Sequence, residues 1–480
     1  MHNHKLTKYA AAAAAALTMA ACSSDGTSGA GSNAAAATPT KNVVFFLGDG
    51  MGMTTMTAAR IYKVGEAGDL TMDTLPESGF VRTYSNDAQV TDSAPSMAAY
   101  MTGVKMNNEV ISMSPDTMAY DAAGKDYVNG YDTTCPSNNG TPVSTLLEQM
   151  KAAGYGTGVV TTTRVTHATP AATYSHICHR DGENTIAAQL TPAGAGYNGA
   201  LSDGVDVVLG GGRRHFLPAS AGGVRTDNRD LTAELKAQGY RYAASRADFD
   251  AVSATDKKVI GLFTSSHMSY DLDRDPTKEP SLAEMTGKAI DVLAAKQKGF
   301  FLMVEGGRID HALHETTARK ALQDTAAFDD AIKGAIAKLN TIDPGLKNTL
   351  IVVTADHDHT LVLNGYAQRT GPSSDTNPGV LGLVKDYVMG TNTTDVNGLP
   401  YSIVGFGNGE NRPATRTALT DAMVYDKSYH QEAAIPTAVG SETHGGTDVF
   451  IGAQGLGAER FTGAMTNTEV FGLIKQAVGL

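Results

Sequence analysis

The residues with the clearest capacity for chemistry lie between positions 301 and 315, in the stretch FLMVEGGRIDHALHE. The apolar run 301–304 predicts a buried strand with Glu305 at its carboxyl end, where α/β proteins place ligand and catalytic groups. Asp310 and His314 are four residues apart, so on a helix their side chains share one face at metal-ligand spacing. The alternative is a solvated helix start that Asp310 stabilises through the helix dipole.

Other segments place carboxylates and imidazoles next to apolar strands predicted over 43–47, 349–353 and 449–452. With the first stretch, they supply these candidate ligands: Asp49, Glu305, Asp310, His314, Asp356, His357 and His444. An aspartate after a strand is often only the N-cap of the next helix, so each segment alone is weak evidence. Together, oxygen and nitrogen ligands without a thiolate favour zinc with a harder ion such as magnesium, in more than one site.

Ser93 precedes a helix predicted over 97–101, and Pro95 is tolerated in its first turn. Its hydroxyl is either a simple N-cap or a nucleophile whose anionic substrate is held by free backbone N–H groups. The segment 166–180 carries Thr169 and Arg180, and by itself it is typical of an ordinary surface loop.

The elements that must position these groups alternate between strands and helices. Additional short strands are predicted over 158–161, 207–209 and 259–263. Helices are predicted over 54–62, 142–153, 281–296 and 318–339 and from residue 466, the third and last opened by capping boxes. This order predicts an α/β fold with a central, mostly parallel sheet flanked by helices.

The 480 residues are enough for one large α/β domain with insertions or for two to three ordinary domains. The segment 361–437 breaks the rhythm because it is rich in Gly, Asn, Thr and Tyr, and we expect an inserted surface subdomain within a domain spanning 41–480.

The formal net charge is −12, and removal of residues 1–21, which carry Lys5, Lys8 and no acidic residue, changes it to −14. This balance argues against nucleic acid or an anionic membrane surface as a partner. An anionic substrate would therefore need local cations.

Residues 1–21 combine two lysines with an Ala-rich apolar run and end before Cys22. They predict a lipoprotein-type export signal, with lipid attached to Cys22, a flexible tether over 22–40 and a periplasmic or cell-envelope location. Ordinary cleavage near Ala21, leaving an unmodified thiol, is the alternative. In such an oxidising compartment Cys135 and Cys178 are expected to form a disulfide, against the alternative of two buried thiols.

Six motifs, in order, resemble those of the alkaline phosphatase family from residue 43 onward. They are GDGMG at 48–52, TDSA at 91–94, HATPAA at 167–172, EGGRIDH at 305–311, ADH at 355–357 and ETHGG at 442–446.

The resemblance implies hydrolysis of small phosphate monoesters, with broad specificity, through a phosphoserine on Ser93 and with Arg180 clamping two phosphate oxygens. It implies two Zn²⁺ and one Mg²⁺. The implied ligands are Asp310, His314 and His444 for the first zinc; Asp49, Asp356 and His357 for the second; and Asp49, Thr169 and Glu305 for magnesium. The residues implied to surround them are Asp92, His167, His311 and His359.

His167 and His311 stand where some family members carry Asp and Lys, while others carry histidines. Imidazole there favours zinc or cobalt over magnesium in the third site, unless both rings only hydrogen-bond through water. The segment 361–437 resembles the family's variable crown region at the mouth of the active site. The resemblance also implies a homodimer.

Three other functions fit the sequence less well. Sulfatases require a Cys/Ser-x-Pro-x-Arg context, and residues 93–97, SAPSM, lack the arginine. Phosphodiesterase relatives generally lack the residues of the third metal site, which Thr169 and Glu305 would supply here. A noncatalytic phosphate-binding lipoprotein would bind orthophosphate without releasing it from esters, and intact Ser93 and Arg180 argue against it.

Overall fold

The computed structural model describes residues 40–296 and 298–480. The predicted export signal 1–21, Cys22 and the tether up to residue 39 lie outside the described residues.

The strands in the described part of the chain are β1 Lys41–Gly48, β2 Glu77–Arg82, β3 Val128–Asn129, β4 Asp132–Thr133, β5 Gly156–Arg164, β6 Val207–Gly211, β7 Arg241–Ala243, β8 Val259–Leu262, β9 Gly299–Gly306, β10 Thr349–Ala355, β11 Asp358–His359, β12 Leu361–Leu363, β13 Val404–Gly409, β14 Ala433–Pro436, β15 His444–Gly445, β16 Val449–Gly455 and β17 Gly463–Thr466. The α-helices there are α1 Met53–Val64, α2 Ser93–Thr102, α3 Leu146–Ala152, α4 Ala168–Ala171, α5 Glu183–Leu190, α6 Leu231–Ala237, α7 Arg246–Asp250, α8 Leu282–Leu293, α9 Arg308–His314, α10 Ala318–Ile342, α11 Asp421–Tyr425 and α12 Asn467–Val478.

A ten-stranded sheet forms the centre, in the order β17-β2-β16-β10-β1-β9-β5-β6-β8-β7. From β10 to β7 every neighbouring pair is parallel, and β16 runs antiparallel to both β10 and β2. In the middle, Phe45 of β1 lies opposite Met303 of β9 and Val352 of β10. The predicted α/β class with a mostly parallel sheet is confirmed.

Burial explains why the central strands are continuous apolar runs. Every residue of β9 and β10 is buried, as expected for parallel strands covered by helices on both faces. Helix α10 buries one stripe that includes Leu322, Phe328 and Ile332, and it packs against α8, α9 and α1. Helix α12 packs against α2.

Most predicted elements are present with small shifts at their ends. The helix predicted from residue 142 begins at Leu146 instead, because Thr145 is its N-cap and forms a capping box with Glu148. The capping boxes at Ser281 and Thr466 are confirmed, although the helix after Ser281 ends at Leu293, before residue 296.

The segment 361–437 contains a separate three-stranded sheet, in which β13 lies between β12 and β14. The segment also contains a small apolar cluster of Leu383, Leu419 and Val424. Its role as an inserted subdomain stays a prediction.

The disulfide between Cys135 and Cys178 is present, with the Cα atoms 6.0 Å apart. It links the loop before α3 to the segment that carries Arg180. Within residues 40–296 and 298–480, no helix is long and apolar enough to cross a membrane.

Candidate active site

The site forms where the central parallel strands end. Glu305 lies opposite Leu47 in the register of β9 and β1, and Asp49 and Asp356 directly follow the paired residues Gly48 and Ala355. The carboxyl ends of adjacent parallel strands meet at one edge of the sheet, so three carboxylates converge there. All three are fully buried.

A first group of ligand-type side chains comprises Asp310, His314, His359 and His444. On α9, His314 Nε2 lies 3.2 Å from Asp310 Oδ1, so the predicted i, i+4 geometry is present. His444 Nε2 lies 3.1 Å from His314 Nε2. The Nδ1 atoms of His314 and His444 contact backbone carbonyls, which fixes the tautomers and directs both Nε2 lone pairs into the group.

His359 has a different role from the other imidazoles of this group. Its Nδ1 donates to Glu442 over 2.5 Å and its Nε2 donates to Asp310 over 2.8 Å. Although burial disfavours its charge, the carboxylates of Glu442 and Asp310 raise the pKa of His359 to about 10. The ring therefore orients Asp310 and has no free lone pair.

A second group comprises Asp49, Asp356 and His357, and it surrounds Ser93. The Ser93 hydroxyl lies 3.3 Å from Asp49 Oδ1 and 3.2 Å from His357 Nε2. The backbone N–H of Gly50 donates to Asp356 Oδ1 over 3.0 Å and holds that carboxylate in place.

Ser93 is the first residue of α2, and it is not the N-cap. Asp92 caps the helix by accepting from the Ala94 N–H over 2.7 Å, so the capping interpretation of Ser93 is wrong. The same Oδ1 of Asp92 accepts from Arg180 Nη1 over 3.0 Å. Asp92 thus links the helix terminus to the guanidinium while the Ser93 hydroxyl stays directed into the site.

A third group lies on the other side of Asp49. Thr169 donates to Asp49 Oδ2 over 3.4 Å, and Glu305 and His167 each bring a ligand atom close to Asp49. Thr161 and Thr163 donate to one oxygen of Glu305, Oε2, the latter over 3.2 Å. The other oxygen, Oε1, is left for a different partner.

The carboxylates are too crowded to be charged without a counter-ion. Burial raises the pKa of Asp49 to about 7, with Asp310 adding to the effect, and burial together with Asp49 raises the pKa of Asp356 to about 7. Burial and Asp49 also raise the pKa of Glu305 well above its usual value. Burial opposes the charge of Asp310 as well, but the imidazoles around it, His314 first, lower its pKa well below the ordinary range.

The donor sets fit divalent cations. Glu305 Oε1 and Asp356 Oδ2 are buried and have no hydrogen-bond partner among the described residues. Such atoms are costly unless they bind something, and a carboxylate oxygen facing other carboxylates is suited to a metal ion. The first group offers one carboxylate and two free imidazole nitrogens, whereas the third offers mainly oxygen.

Sequence reasoning assigned no role to Glu442 and did not identify His267. Glu442 is the first residue of the ETHGG motif at 442–446. Its carboxylate accepts from the Thr360 N–H over 2.8 Å and also from His359. His267 follows β8 at the same edge of the sheet, and its ring centroid lies 4.2 Å from that of His311. The position of His267 shortly after the strand predicted over 259–263 is the sequence signal that could have identified it.

The family model described as alkaline phosphatase matches residues 40–480. A membrane-bound alkaline phosphatase of Bombyx mori is 34% identical over 91% of this chain and 79% of its own length. An alkaline phosphatase of Gadus morhua is 35% identical over 86% of this chain and 87% of its own length.

Two solved structures are similar throughout. The alkaline phosphatase of the Antarctic bacterium TAB5 matches with a TM-score of 0.63 at 25% identity, covering 92% of this chain and 98% of that one. The Thermus thermophilus alkaline phosphatase matches with a TM-score of 0.65 at 25% identity, covering 92% of each chain.

Proposed function

The chain belongs to the alkaline phosphatase family and is a phosphoric monoester hydrolase, and from this premise we propose that Ser93 is its nucleophile in a site built for three divalent metal ions. The observation that carries the proposal is the position of the Ser93 hydroxyl. It lies within 3.3 Å of Asp49 and His357, and it is free of the capping bond that Asp92 makes instead.

The metal ligands follow from the three groups. Asp310, His314 and His444 would hold one zinc, and three protein ligands leave a coordination position open. The second zinc would be held by Asp49, Asp356 and His357. Asp49, Thr169 and Glu305 would hold the third ion, for which oxygen donors favour magnesium; a TAB5 variant with a histidine replaced by aspartate has been solved with magnesium in its M3 site.

Bound metal ions would supply positive charge that lowers the pKa of the Ser93 hydroxyl and offsets the charge that develops on the ester oxygen. Arg180 would bind two oxygens of the phosphoryl group, and Asp92 holds its guanidinium from behind. The Ser93 oxygen attacks phosphorus, the bond to the ester oxygen breaks, and the alcohol leaves with a proton. Water then attacks the phosphoserine in line, and inorganic phosphate and free Ser93 result.

Substrate choice follows from where the contacts fall. Arg180 and Ser93 engage the phosphoryl group and leave the alcohol unconstrained, which supports broad specificity for monoesters. The segment 361–437 is proposed as a crown-type insert, and the protein as a homodimer, on the family resemblance.

The location of the protein is proposed from its N-terminal sequence. Residues 1–21 would direct export and Cys22 would carry a lipid, which would anchor the enzyme in the cell envelope. The Bombyx mori relative is itself described as membrane-bound.

The test is release of phosphate from an aryl phosphate at alkaline pH by protein beginning at residue 23. Turnover should vanish with chelator and return with zinc and magnesium. The Ser93→Ala variant should lose at least about a thousandfold in kcat and form no phosphoenzyme with a labelled substrate.

Ser96→Ala is the matched control, because Ser96 lies one turn further along α2 and donates to the Asp356 carbonyl over 2.7 Å. It should still form the phosphoenzyme. Absence of turnover in folded, fully metallated wild-type protein would contradict the proposal, and diesters and sulfates would be tried next.

A further inference from the structure

Three histidines gather next to the proposed metal sites; none belongs to the two proposed zinc groups, and only His167 also lies in the third group. His167, His267 and His311, the three-histidine cluster, each place one ring nitrogen within 4.8 Å of the others. They come from the loops after β5 and β8 and from α9, so the edge of the sheet that positions the metal ligands also assembles this cluster. All three side chains are partly accessible to solvent.

Arginine donors occupy one nitrogen of two of these rings. Arg180 Nη2 lies 3.2 Å from His167 Nε2, and Arg308 Nη1 lies 3.0 Å from His311 Nδ1. Arginine can only donate, so each of these nitrogens must be the acceptor. A neutral imidazole has one acceptor and one N–H, which places a proton on His167 Nδ1 and on His311 Nε2.

The third ring faces donors on both sides. His267 Nδ1 lies 3.3 Å from the backbone N–H of Arg164, and its Nε2 contacts Nη1 of the same arginine. A neutral ring can accept from only one of these two donors. The other ring nitrogen of His267 then carries an N–H that faces the second donor of Arg164. The carboxylate of Glu183 accepts from Arg164 at Nε, over 2.8 Å, and not at the Nη1 atom that contacts His267.

The cluster therefore has more donors than acceptors. His167 Nδ1 and Arg308 Nε are both buried without a hydrogen-bond partner in the part of the chain that the structure describes. Because an arginine donates to one nitrogen of His167 and of His311, both rings are neutral and each carries its proton on the other nitrogen. A metal ion needs a lone pair on each imidazole, and in two of the rings the arginines already occupy it.

We propose that the three-histidine cluster, with Arg164 and Arg308, is a second oxyanion-binding subsite that takes a phosphate group. An oxyanion supplies acceptors to the imidazole N–H groups and separates His267 from the Arg164 guanidinium. Arg180 contacts both Asp92 and His167, so the subsite lies directly beside the proposed phosphate clamp. It thus suits the non-reacting phosphate of a substrate that carries two, an inference that rests on the proposed function.

The experiment compares pyrophosphate with an aryl phosphate as substrates of the metal-loaded enzyme. In His267→Phe, kcat/KM for pyrophosphate should fall about tenfold relative to that for the aryl phosphate. Arg308→Gln should change the ratio in the same direction, which guards against a folding defect in one variant. His430→Phe, in the segment 361–437, is the matched control and should leave the ratio unchanged.

Free phosphate is the other source of the same chemistry, and product inhibition distinguishes it. If the subsite takes free phosphate, inhibition of aryl phosphate turnover is mixed in the wild type and becomes competitive in His267→Phe. A wild-type substrate ratio in both cluster variants, together with purely competitive phosphate inhibition in the wild type itself, would overturn the subsite while leaving the monoesterase intact. If the wild type shows no turnover, phosphate binding by metal-loaded Ser93→Ala decides: a second bound phosphate, lost in the double variant with His267→Phe, supports the subsite, and its absence overturns it.

Discussion

Individual side chains in this site take their roles from their immediate neighbours. Asp92 caps α2 and also binds Arg180, and this frees the Ser93 hydroxyl for another use. His359 lies between Glu442 and Asp310, so it donates twice and orients a carboxylate. Residue type alone would have made Ser93 the cap and His359 another ligand candidate.

The clamp proposed for Arg180 depends on its planar, forked guanidinium. In Arg180→Lys the charge is retained but two parallel hydrogen bonds to phosphate are not possible, so kcat/KM for an aryl phosphate should fall about 10- to 100-fold. Steady-state kinetics with the zinc- and magnesium-loaded enzyme measures the change.

Arg229→Lys provides the control for that substitution. Arg229 binds Glu234 with the same forked geometry, at 2.9 and 2.6 Å, in a pair outside the ligand groups. This variant should keep wild-type kinetics. If Arg180→Lys also kept them, a bidentate contact to phosphate would be excluded.

Local pattern was enough to locate most of the ligand residues, because apolar strands followed by Asp, Glu or His are visible in the sequence. It could not show that Asp92 caps α2, since Asp92 and Ser93 are adjacent and both suit an N-cap. It could not bring His267 to His311 either, because 44 positions separate them and only the folded sheet places their loops side by side.

At the level of elements, the register of β9, β1 and β10 sets the site. These strands end at the same edge, where Glu305 is the last residue but one of β9 and Asp49 and Asp356 directly follow β1 and β10. The helix expected from residue 142 shows what apolar periodicity cannot predict. The apolar stripe begins before the N-cap Thr145, but the chain is helical only after that residue.

The turn after β1 depends on Gly50. Its φ is 65°, and a Cβ there would lie 2.5 Å from the His359 ring and 3.3 Å from the Asp310 Cα. Gly50→Ala should cost about 1 to 3 kcal/mol in unfolding free energy and weaken zinc binding, because His359 and Asp310 must move. Denaturation of the metal-loaded protein and a zinc titration of the metal-free protein measure the two effects.

Gly287→Ala tests whether loss of a glycine is itself harmful. Gly287 lies within α8, and a Cβ there meets no atom within 4 Å. The variant should be neutral or more stable by about 1 kcal/mol, since alanine favours the helix. Equal behaviour of the two variants would contradict the steric explanation.

At the scale of the whole molecule, the disulfide between Cys135 and Cys178 closes a long loop and holds the segment that carries Arg180. The cysteines are 43 residues apart, and a loop of that length corresponds to about 4 kcal/mol in the chain-entropy model. The Cys135→Ser, Cys178→Ser double variant should therefore unfold at clearly lower denaturant concentration with metals bound.

The same double variant separates stability from catalysis. Cys178 is two residues from Arg180, whose backbone N–H is also held by the Glu109 carbonyl at 2.9 Å. The Asp92 and Glu109 contacts remain after the disulfide is removed, so kcat/KM should change by less than about tenfold under native conditions. A larger loss would show that the disulfide, and not these contacts, positions the clamp.

Metal ions and stability are coupled through the buried carboxylates. In the metal-free protein the pKa values of Asp49 and Asp356 are raised to about 7, and that of Glu305 is raised well above its usual value. Between about pH 4 and 7 the folded chain therefore holds protons that the unfolded chain has released. The contribution of these three carboxyl groups to stability therefore falls as the pH rises, whereas buried histidines with a lowered pKa, such as His357 and His444, contribute in the opposite direction.

The contribution of one carboxyl group is isolated by comparing the metal-free wild type with metal-free Asp356→Asn: relative to the variant, the wild type should lose about 2 kcal/mol of unfolding free energy between pH 5 and pH 8. The zinc- and magnesium-saturated protein should show no such fall, because bound cations stabilise the ionised carboxylates and protons compete less with metal as the pH rises. The chain contains no tryptophan, so far-ultraviolet circular dichroism in urea is the suitable measurement. Equal pH dependence of the metal-free wild type and metal-free Asp356→Asn would show that this carboxyl group does not titrate with a raised pKa in the folded protein.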